Sequence, residues 1–251
     1  INLNVTFMED LSRWKEKFES CVYAKKLLDK LEYLNTKVNN PIDSLEVKKG
    51  IYYARKYNGL QMRKSGDPYY SHPIEVAIML AEFTAMEVPK LYNAVMIQAA
   101  LLHDTIEDTE LTEEMIAKIF GEEVARHVEG LTRVKLDGKI TAAESLNLLV
   151  KQKRYDTALI KLFDRIHNLQ TLGAKSSEKI ITESLNVFIT FSMHLEIPTL
   201  VQKLIQLCYT HLSIQNQQKE LFIEDNSQLL FLPFQNEINQ LQNQLLLKQK
   251  Q

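Results

Sequence analysis

The sequence predicts an all-α protein, a compact bundle of many helices, and three observations support this fold class. Apolar residues recur at intervals of three and four along almost the whole chain, which is the period of an amphipathic helix. Glycine and proline, which interrupt helices, number only 7 and 6 among 251 residues. The chain is also long enough to bury a large core. We expect an N-terminal helical segment over 1–42, one domain over 43–213, and a tail or helix over 214–251.

Charge and composition exclude several classes of protein. The 30 basic residues nearly balance the 32 acidic ones and leave a net charge of −2, which predicts no nucleic-acid or acidic-membrane partner. Cys21 and Cys208 lie far apart without metal-ligand spacing, so they predict buried free thiols in a reducing compartment. No run of eighteen apolar residues and no signal-peptide pattern occurs, so we expect a cytoplasmic protein without a membrane span.

The N-terminal elements follow from apolar spacing and turn residues. Residues 8–38 predict one helix or a broken pair packed by an apolar stripe. The stripe comprises Leu11, Trp14, Phe18, Val22, Leu27, Leu31 and Leu34. Asp43, with Glu46 three residues later, predicts a capping box for a helix that continues to Tyr57. Asn58-Gly59 then predicts a turn.

The segment 61–73 differs from the rest of the chain because cations, a hydroxyl, a glycine, prolines and aromatics separate two helices. Arg63, Lys64 and Ser65 suit an anionic, oxygen-rich ligand, and a guanidinium can also stack on a base. A solvated surface loop explains this composition equally well. His72 precedes Pro73, which predicts the first turn of a helix over 74–83, so the imidazole lies at a helix start.

A cluster of acids follows the next apolar helix, which we predict over 89–102. His103, Asp104, Glu107 and Asp108 are three or four residues apart, so a helical stretch would bring all four to one side. Three carboxylates and an imidazole repel one another unless a cation is present, and a divalent metal is the simplest such cation. The alternative is a helix end with solvated acids, and partners elsewhere in the chain have to decide.

Three further features lie between residues 112 and 139. Thr112 predicts the N-cap of a short helix over 113–120. Another helix is predicted over 122–132, in which His127 has charged neighbours and is expected to be exposed and structural. Residues 137–139 predict a mobile loop, either a lid or a simple connection.

The helix predicted over 158–171 carries a second polar face. Asp164, Asn168 and Thr171 are four and three residues apart, which suits one metal ligand followed by hydrogen bonds to a polar substrate. His167 lies off that face and is expected to orient a metal ligand or to be structural. The two distant aspartates and two distant histidines then form a mixed nitrogen and oxygen set for manganese, iron or zinc, with positions open for water or phosphate. Its members are His72, His103, Asp104 and Asp164.

The C-terminal part carries less information. Helices are predicted near 177–195 and over 198–212, with His194 and His211 as structural residues. Gln and Asn make up 15 of the 37 residues from 215 to 251. This composition suits a docking helix, a coiled-coil segment or a partly disordered tail without a catalytic part.

The ordered motifs between about 45 and 195 resemble the hydrolase domain of RelA/SpoT homologues, within the HD superfamily of metal-dependent phosphohydrolases. The stretches that carry this resemblance are Arg63–Tyr69, Ser71–Pro73, His103–Thr109, Glu129–Arg133 and Lys161–Asn168. Those enzymes remove the 3′-pyrophosphate from the alarmones ppGpp and pppGpp during the stringent response. The resemblance implies an HD-type helical bundle and a metal-dependent guanosine-3′,5′-bis(diphosphate) 3′-pyrophosphohydrolase.

The resemblance also implies a role for each candidate residue. It implies Mn²⁺ bound by His72, His103, Asp104 and Asp164. Glu107 and Asp108 would orient and activate the attacking water. The implied substrate contacts are stacking of Arg63 on guanine, Lys64 and Ser65 beside the base and phosphates, and Asn168 and Thr171 on ribose or phosphate.

Two departures from the family pattern leave alternatives open. Asn58 stands where the family has the histidine of His-x-Gly-Gln, and Ala143–Leu148 lacks the usual Arg-Lys pair. The alternatives are an HD phosphohydrolase for another nucleotide phosphorylated on its ribose, such as NADPH, and a non-catalytic alarmone-binding regulator. No segment resembles the family's synthetase domain, so we expect no synthesis. Oligomeric state is not predicted.

Overall fold

The structure is a computed structural model that describes residues 21–63, 65–135, 137–173 and 178–222. The regular elements of the described residues are helices apart from one short hairpin, which confirms the all-α prediction. The chain divides into two compact units, Ile1–Tyr209 and Thr210–Gln251. The first unit holds every element discussed below except the end of the last helix. The second unit is described only over 210–222, where that helix ends.

The elements follow one another with short connections. The helices before the hairpin are α1 (Val22–Asn35), α2 (Ser44–Asn58), α3 (Ser71–Glu87), α4 (Ala94–Leu102), α5 (Thr105–Asp108), α6 (Glu113–Phe120) and α7 (Glu122–Leu131), with a 3-10 turn at Pro89–Leu91. Strands β1 (Val134–Lys135) and β2 (Gly138–Lys139) form an antiparallel hairpin. After it come α8 (Ala142–Lys151), α9 (Tyr155–Gln170), α10 (Glu178–Glu183), a π-helical segment (Ser184–Phe188), α11 (Ile189–His194) and α12 (Pro198–Phe222).

Helix α4 lies at the centre of the first unit and packs against α2, α3, α7 and α9. All residues from Met96 to Leu102 are buried, and burying each large apolar side chain stabilises the fold by about 1.5–3 kcal/mol. The close approach of α2 depends on Gly50, since a Cβ atom there would lie 2.8 Å from Leu101 Cδ1. The chain therefore leaves α4 inside the core, where His103 is buried.

The N-terminal predictions are confirmed in part. Asp43 caps α2, because its carboxylate accepts a hydrogen bond from Leu45 N at 2.9 Å. Glu46 accepts a hydrogen bond from the buried Gln98 side chain instead of returning to the cap. In the apolar stripe Leu27, Leu31 and Leu34 are buried, whereas the prediction for Val22 is wrong because it is 76% exposed. Leu11, Trp14 and Phe18 lie outside the described residues.

Two further predictions are wrong. The helix predicted over 89–102 is interrupted, because the Asn93 side chain accepts a hydrogen bond from Met96 N and so begins α4 there. His127 is buried and not exposed, since its face of α7 packs against α9. Its Nδ1 atom lies 2.7 Å from Thr157 Oγ1 on that helix.

The loop predicted at 137–139 contains a strand. Val134 pairs with Lys139 and Lys135 with Gly138, whose φ of 119° favours glycine at the turn. Cys21 and Cys208 are buried free thiols as predicted, and burial raises the pKa of Cys208 to about 12. In the described part of the chain, no helix has the length and apolar character needed to cross a bilayer. The cytoplasmic location and the absence of nucleic-acid and membrane partners stay predictions.

Candidate metal centre and its surroundings

Four side chains from three places in the chain converge in the first unit. His72 lies in the first turn of α3, His103 and Asp104 lie between α4 and α5, and Asp164 lies in α9. Ligand atoms of the first three are all within 4.8 Å of one another. Asp164 Oδ1 lies 3.2 Å from His72 Nε2 and 3.7 Å from His103 Nε2. These four residues, here called the metal cluster, are the four predicted ligands.

The position of His103 and Asp104 results from a break in the helix. Helix α4 ends at Leu102, whose carbonyl accepts a hydrogen bond from Thr105 Oγ1 at 2.7 Å. Helix α5 then begins at Thr105, with Asp104 as its N-cap residue. The acids of the 103–108 stretch contact different partners.

The His103 imidazole presents a free nitrogen to the cluster. Its Nδ1 atom lies 2.8 Å from the Ala100 carbonyl and donates to it, so Nε2 carries the lone pair of the neutral ring. Nε2 lies 3.1 Å from Asp104 Oδ2 without hydrogen-bond geometry, and it has no hydrogen-bond partner among the described residues. Burial alone lowers the pKa of His103, but Asp104 and Asp164 raise it to about 10. The cluster therefore attracts a cation, either a proton or a metal.

The two carboxylates are ionised, although Asp164 is buried and Asp104 is half-buried. Burial alone raises the pKa of Asp104, but the His103 imidazole lowers it below its usual range. Burial acts in the same direction on the pKa of Asp164, where the Lys161 ammonium and His103 lower it. Lys161 is 3% exposed, with Nζ 3.5 Å from Asp164 Oδ2. Asn168 donates to Asp164 Oδ1 at 2.6 Å and so fixes the carboxylate plane.

These residues fit a divalent transition metal. The donor set combines two imidazole nitrogens with two ionised carboxylates, which is typical of manganese, iron and zinc sites. The unpartnered Nε2 of His103 provides a second observation, since a buried polar atom without a partner is costly unless a ligand satisfies it.

The His167 ring contacts the metal cluster through the ring of His72. Its Nδ1 atom lies 2.7 Å from Nδ1 of His72, and both rings are buried. Burial and the neighbouring His72 lower the pKa of His167 to about 3, so this ring is neutral. The structure thus places His167 against a predicted ligand, on the side away from the other cluster residues.

The Glu107 carboxylate forms ion pairs and hydrogen bonds with residues of the hairpin and its flank. Arg133 reaches its carboxylate with Nη2 at 2.5 Å and with Nε and the backbone N at 3.2 Å, and Lys139 Nζ lies at 2.6 Å. Burial alone raises the pKa of Glu107, but Arg133 and Lys139 lower it below the ordinary value. Both carboxylate oxygens are therefore occupied by cations.

Asp108 is joined to the metal cluster by Tyr69, which the sequence analysis did not single out. The Tyr69 hydroxyl donates to Asp108 Oδ2 at 2.7 Å and lies 3.1 Å from Asp104 Oδ2. Burial and these two carboxylates raise the pKa of the phenol, so it stays protonated. The sequence offered one signal for a role of Tyr69, which is its position. Tyr69 lies in the same loop as Arg63 and two residues before the helix of His72.

The predicted substrate-binding residues have different partners in the structure. Arg63 donates to Thr171 Oγ1 at 3.0 Å, which joins the loop to the end of α9. Ser65 Oγ donates to one oxygen of Asp67 and the Tyr23 hydroxyl donates to the other, both at 2.8 Å. Asn168 contacts Asp164, as described above. Lys64 lies outside the described residues.

Comparisons with known proteins identify the family to which the chain is similar. Residues 51–197 match a family model described as HD domain. A GTP pyrophosphokinase rsh from Brucella ovis is 33% identical over an alignment of 196 residues that covers 74% of this chain and 25% of that protein. A GTP pyrophosphokinase from Myxococcus xanthus is 34% identical over 211 residues, with 73% of this chain and 27% of that protein covered. A guanosine-3′,5′-bis(diphosphate) 3′-pyrophosphohydrolase from Aquifex aeolicus is 34% identical over 185 residues, with 71% and 26% covered. The chain thus spans about a quarter of the length of these curated relatives.

Proposed function

Because the chain belongs to the HD-domain family and is similar to RelA/SpoT homologues, we propose that it is a metal-dependent hydrolase of ppGpp and pppGpp. The reaction removes the 3′-pyrophosphate and so degrades the alarmone. One observation carries the proposal, which is the convergence of His72, His103, Asp104 and Asp164 with the Asp108 carboxylate held one hydrogen bond away.

The metal cluster is the proposed site of Mn²⁺. A bound divalent ion supplies positive charge against phosphoryl oxygens and makes a neighbouring water more acidic. The protein's own contribution is geometric, since Ala100 orients His103, and Lys161 with Asn168 orients Asp164. Ligands held this way lose little rotamer freedom when the metal binds.

Asp108 is the proposed proton acceptor. It is exposed, accepts only the Tyr69 hydrogen bond among the contacts described for it, and lies next to Asp104 through that hydroxyl. In the reaction the water oxygen bonds to the phosphorus attached to O3′, the water proton passes to Asp108, and the bond from phosphorus to O3′ breaks. Pyrophosphate and GDP or GTP are the products, and O3′ takes a proton from solvent.

Glu107 remains in the proposed catalytic pair, but in a different role from Asp108. Arg133 and Lys139 occupy its oxygens, and their charges keep its pKa low, which makes it a weaker proton acceptor. We assign Glu107 to holding the hairpin and its cations beside the reacting groups. If Glu107 orients the attacking water, this role depends on its contacts with Arg133 and Lys139.

Substrate contacts are proposed for the loop and for the end of α9. Arg63, held by Thr171, would stack on guanine, because a guanidinium plane stacks well on a base. Lys64 and Ser65 would lie beside the base and phosphates. Asn168 and Thr171 would contact ribose or phosphate from the face of α9 that already carries Asp164.

Incubation of the purified protein with Mn²⁺ and ppGpp tests this function. We expect release of pyrophosphate and GDP, and no product from ppGpp after chelation of the metal. Parallel reactions with NADPH, followed by released phosphate, and with GTP plus ATP, followed by ppGpp formation, test the alternatives. Phosphate from NADPH alone would favour the other nucleotide, and ppGpp formation would contradict a purely hydrolytic activity. Binding of ppGpp without any product would favour a regulator.

A double variant tests the catalytic pair. Glu107→Ala combined with Asp108→Ala is expected to keep the fold by circular dichroism and to bind Mn²⁺, yet to lose turnover. Asp104→Ala is expected to lose the metal as well, because it removes a ligand. Full activity in the double variant would overturn the assignment of both acids.

A further inference from the structure

We infer that His167 is a positioning residue for the metal, which acts by accepting a hydrogen bond from Nδ1 of His72. This inference rests on the proposed metal cluster and deepens it. It concerns an imidazole outside the four proposed ligands. The carrying observation is the 2.7 Å distance between the two Nδ1 atoms, inside a buried contact between α3 and α9.

The proton between the two rings can be assigned from geometry. Two protonated nitrogens would repel at 2.7 Å, and two lone pairs would also repel, so one Nδ1 atom donates and the other accepts. His72 Nε2 faces Asp164 Oδ1 at 3.2 Å and Asp104 Oδ2 at 3.7 Å, on the metal side of the ring. A metal-binding Nε2 needs its lone pair, so the proton of neutral His72 lies on Nδ1. His167 Nδ1 is then the acceptor.

The other imidazole of the cluster shows the same arrangement with a different acceptor. His103 donates its Nδ1 proton to the Ala100 carbonyl, a backbone group within its own helical turn. The corresponding carbonyl three residues before His72 is that of Tyr69, and it accepts the His72 backbone N–H at 3.1 Å, whereas the His72 ring contacts α9. An acceptor from α9 replaces it. Helix α9 thereby supplies both the ligand Asp164 and the group that orients His72.

The contact also connects the metal cluster to the substrate loop. The His167 carbonyl accepts a hydrogen bond from Thr171 Oγ1 at 2.9 Å, and Thr171 Oγ1 accepts one from Arg63 at 3.0 Å. His167 is therefore held from both sides, by its ring and by its backbone. Its ring cannot rotate away from His72 without loss of a buried hydrogen bond.

Two substitutions separate an acceptor from a merely space-filling ring. In His167→Asn the amide places a polar atom at the position of Nδ1, whereas His167→Phe keeps the ring shape without an acceptor. We expect the affinity for Mn²⁺ to fall by about 10- to 100-fold in His167→Phe, the usual cost of losing a group that orients a metal ligand. His167→Asn is expected to stay within about threefold of the unsubstituted protein. The readout is free Mn²⁺ by electron paramagnetic resonance, without substrate.

His127 provides a matched control. It is also buried, and its Nδ1 atom also makes a 2.7 Å contact, but with Thr157 and not with a residue of the metal cluster. His127→Phe is expected to lower the melting temperature about as much as His167→Phe and to leave Mn²⁺ affinity unchanged. Unchanged affinity in His167→Phe would overturn the inference, as would equal weakening in His167→Asn and His167→Phe.

A measurement on the unsubstituted protein covers the case in which His167→Phe does not fold. With Zn²⁺ as a diamagnetic probe, nitrogen NMR of labelled histidines should show a proton on His72 Nδ1 and none on His167 Nδ1. The reverse assignment overturns the inference. The proposed function is tested separately, because Mn²⁺ binding without ppGpp turnover contradicts the function alone. Turnover with unaltered metal affinity in His167→Phe contradicts this inference alone.

Discussion

The metal cluster and the rim of the site, meaning the loop 61–70 and the hairpin segment 132–140, are built in different ways. His72, His103 and Asp164 are at most 9% exposed, and buried groups hold each of them. The rim is exposed at Ser65, Asp67 and Lys139, so at least one partner in its hydrogen bonds and ion pairs reaches solvent. Buried contacts are strong because water does not compete for them, whereas exposed ion pairs are worth little. The helical core therefore holds the proposed ligands, while the rim can change with less cost to the fold.

The largest effect is expected from a substitution in the metal cluster. Asp164→Ala removes a proposed ligand and leaves the buried Lys161 without its counter-charge. We expect Mn²⁺ binding to be lost and turnover of ppGpp to fall by on the order of 10³-fold or more, since metal assistance contributes several kcal/mol. Calorimetric titration with Mn²⁺ and a pyrophosphate assay measure the two effects.

Asp156→Ala is the matched control, because Asp156 lies in the first turn of the same helix and caps Thr157 N. It is expected to cost some stability and no metal affinity. Retained Mn²⁺ binding in Asp164→Ala would show that α9 does not supply a metal ligand.

The second effect lies at the boundary between cluster and rim. Asp108→Asn is expected to lower kcat by about 10²- to 10⁴-fold with Mn²⁺ affinity kept, because a proton acceptor is lost and no ligand is. Glu107→Gln is expected to lower kcat less, since it releases Arg133 and Lys139 but leaves the acceptor in place. Steady-state kinetics on both variants decide between the two acids. A greater loss of kcat in Glu107→Gln than in Asp108→Asn would contradict the roles proposed for the two acids.

A smaller effect is expected on the rim. Arg63→Ala removes the proposed stacking partner of guanine and the hydrogen bond to Thr171. We expect KM for ppGpp to rise about tenfold, in line with about 1–3 kcal/mol for stacking on a base, while Mn²⁺ affinity stays the same. Lys25→Ala, on the exposed face of α1, serves as the control for loss of one positive charge. A loss of metal affinity in Arg63→Ala would show that rim and cluster are not separable.

The smallest effect concerns the stability that Glu107 contributes. Arg133 and Lys139 hold its pKa below the ordinary value of 4.5, against the opposite effect of burial. A lowered folded-state pKa stabilises the protein fully above 4.5, and this contribution is lost as the pH falls below it. Glu107→Gln should therefore reduce the free energy of unfolding by about 1 kcal/mol at pH 7, and by less near pH 3.5.

Urea unfolding of both proteins at the two pH values measures this difference. Glu87→Gln, at an exposed position near the end of α3, is the control and is expected to change stability little at either pH. A difference between the proteins that is independent of pH would contradict the ion pair as its cause.

Prediction from sequence was most successful where local signals agree with tertiary packing. The caps at Asp43 and Thr112 and the buried stripe of α1 follow from the sequence, because capping and helical periodicity are local properties. The break at Asn93 was missed, because an apolar run on both sides resembles one helix. His127 was misassigned, since charged neighbours in sequence do not reveal the helix that covers its face.

In the site, the types and order of the four cluster residues were readable from the sequence alone, and so was the shared face of Asp164 and Asn168. Residue types carry the chemistry of a metal site, and helical spacing carries a face. Tertiary structure alone decided what surrounds them. It turned Glu107 toward the hairpin, placed Tyr69 between Asp104 and Asp108, and brought His167 against His72. Each of these contacts joins elements that are distant in the chain, and their geometry depends on how helices cross, which no local pattern records.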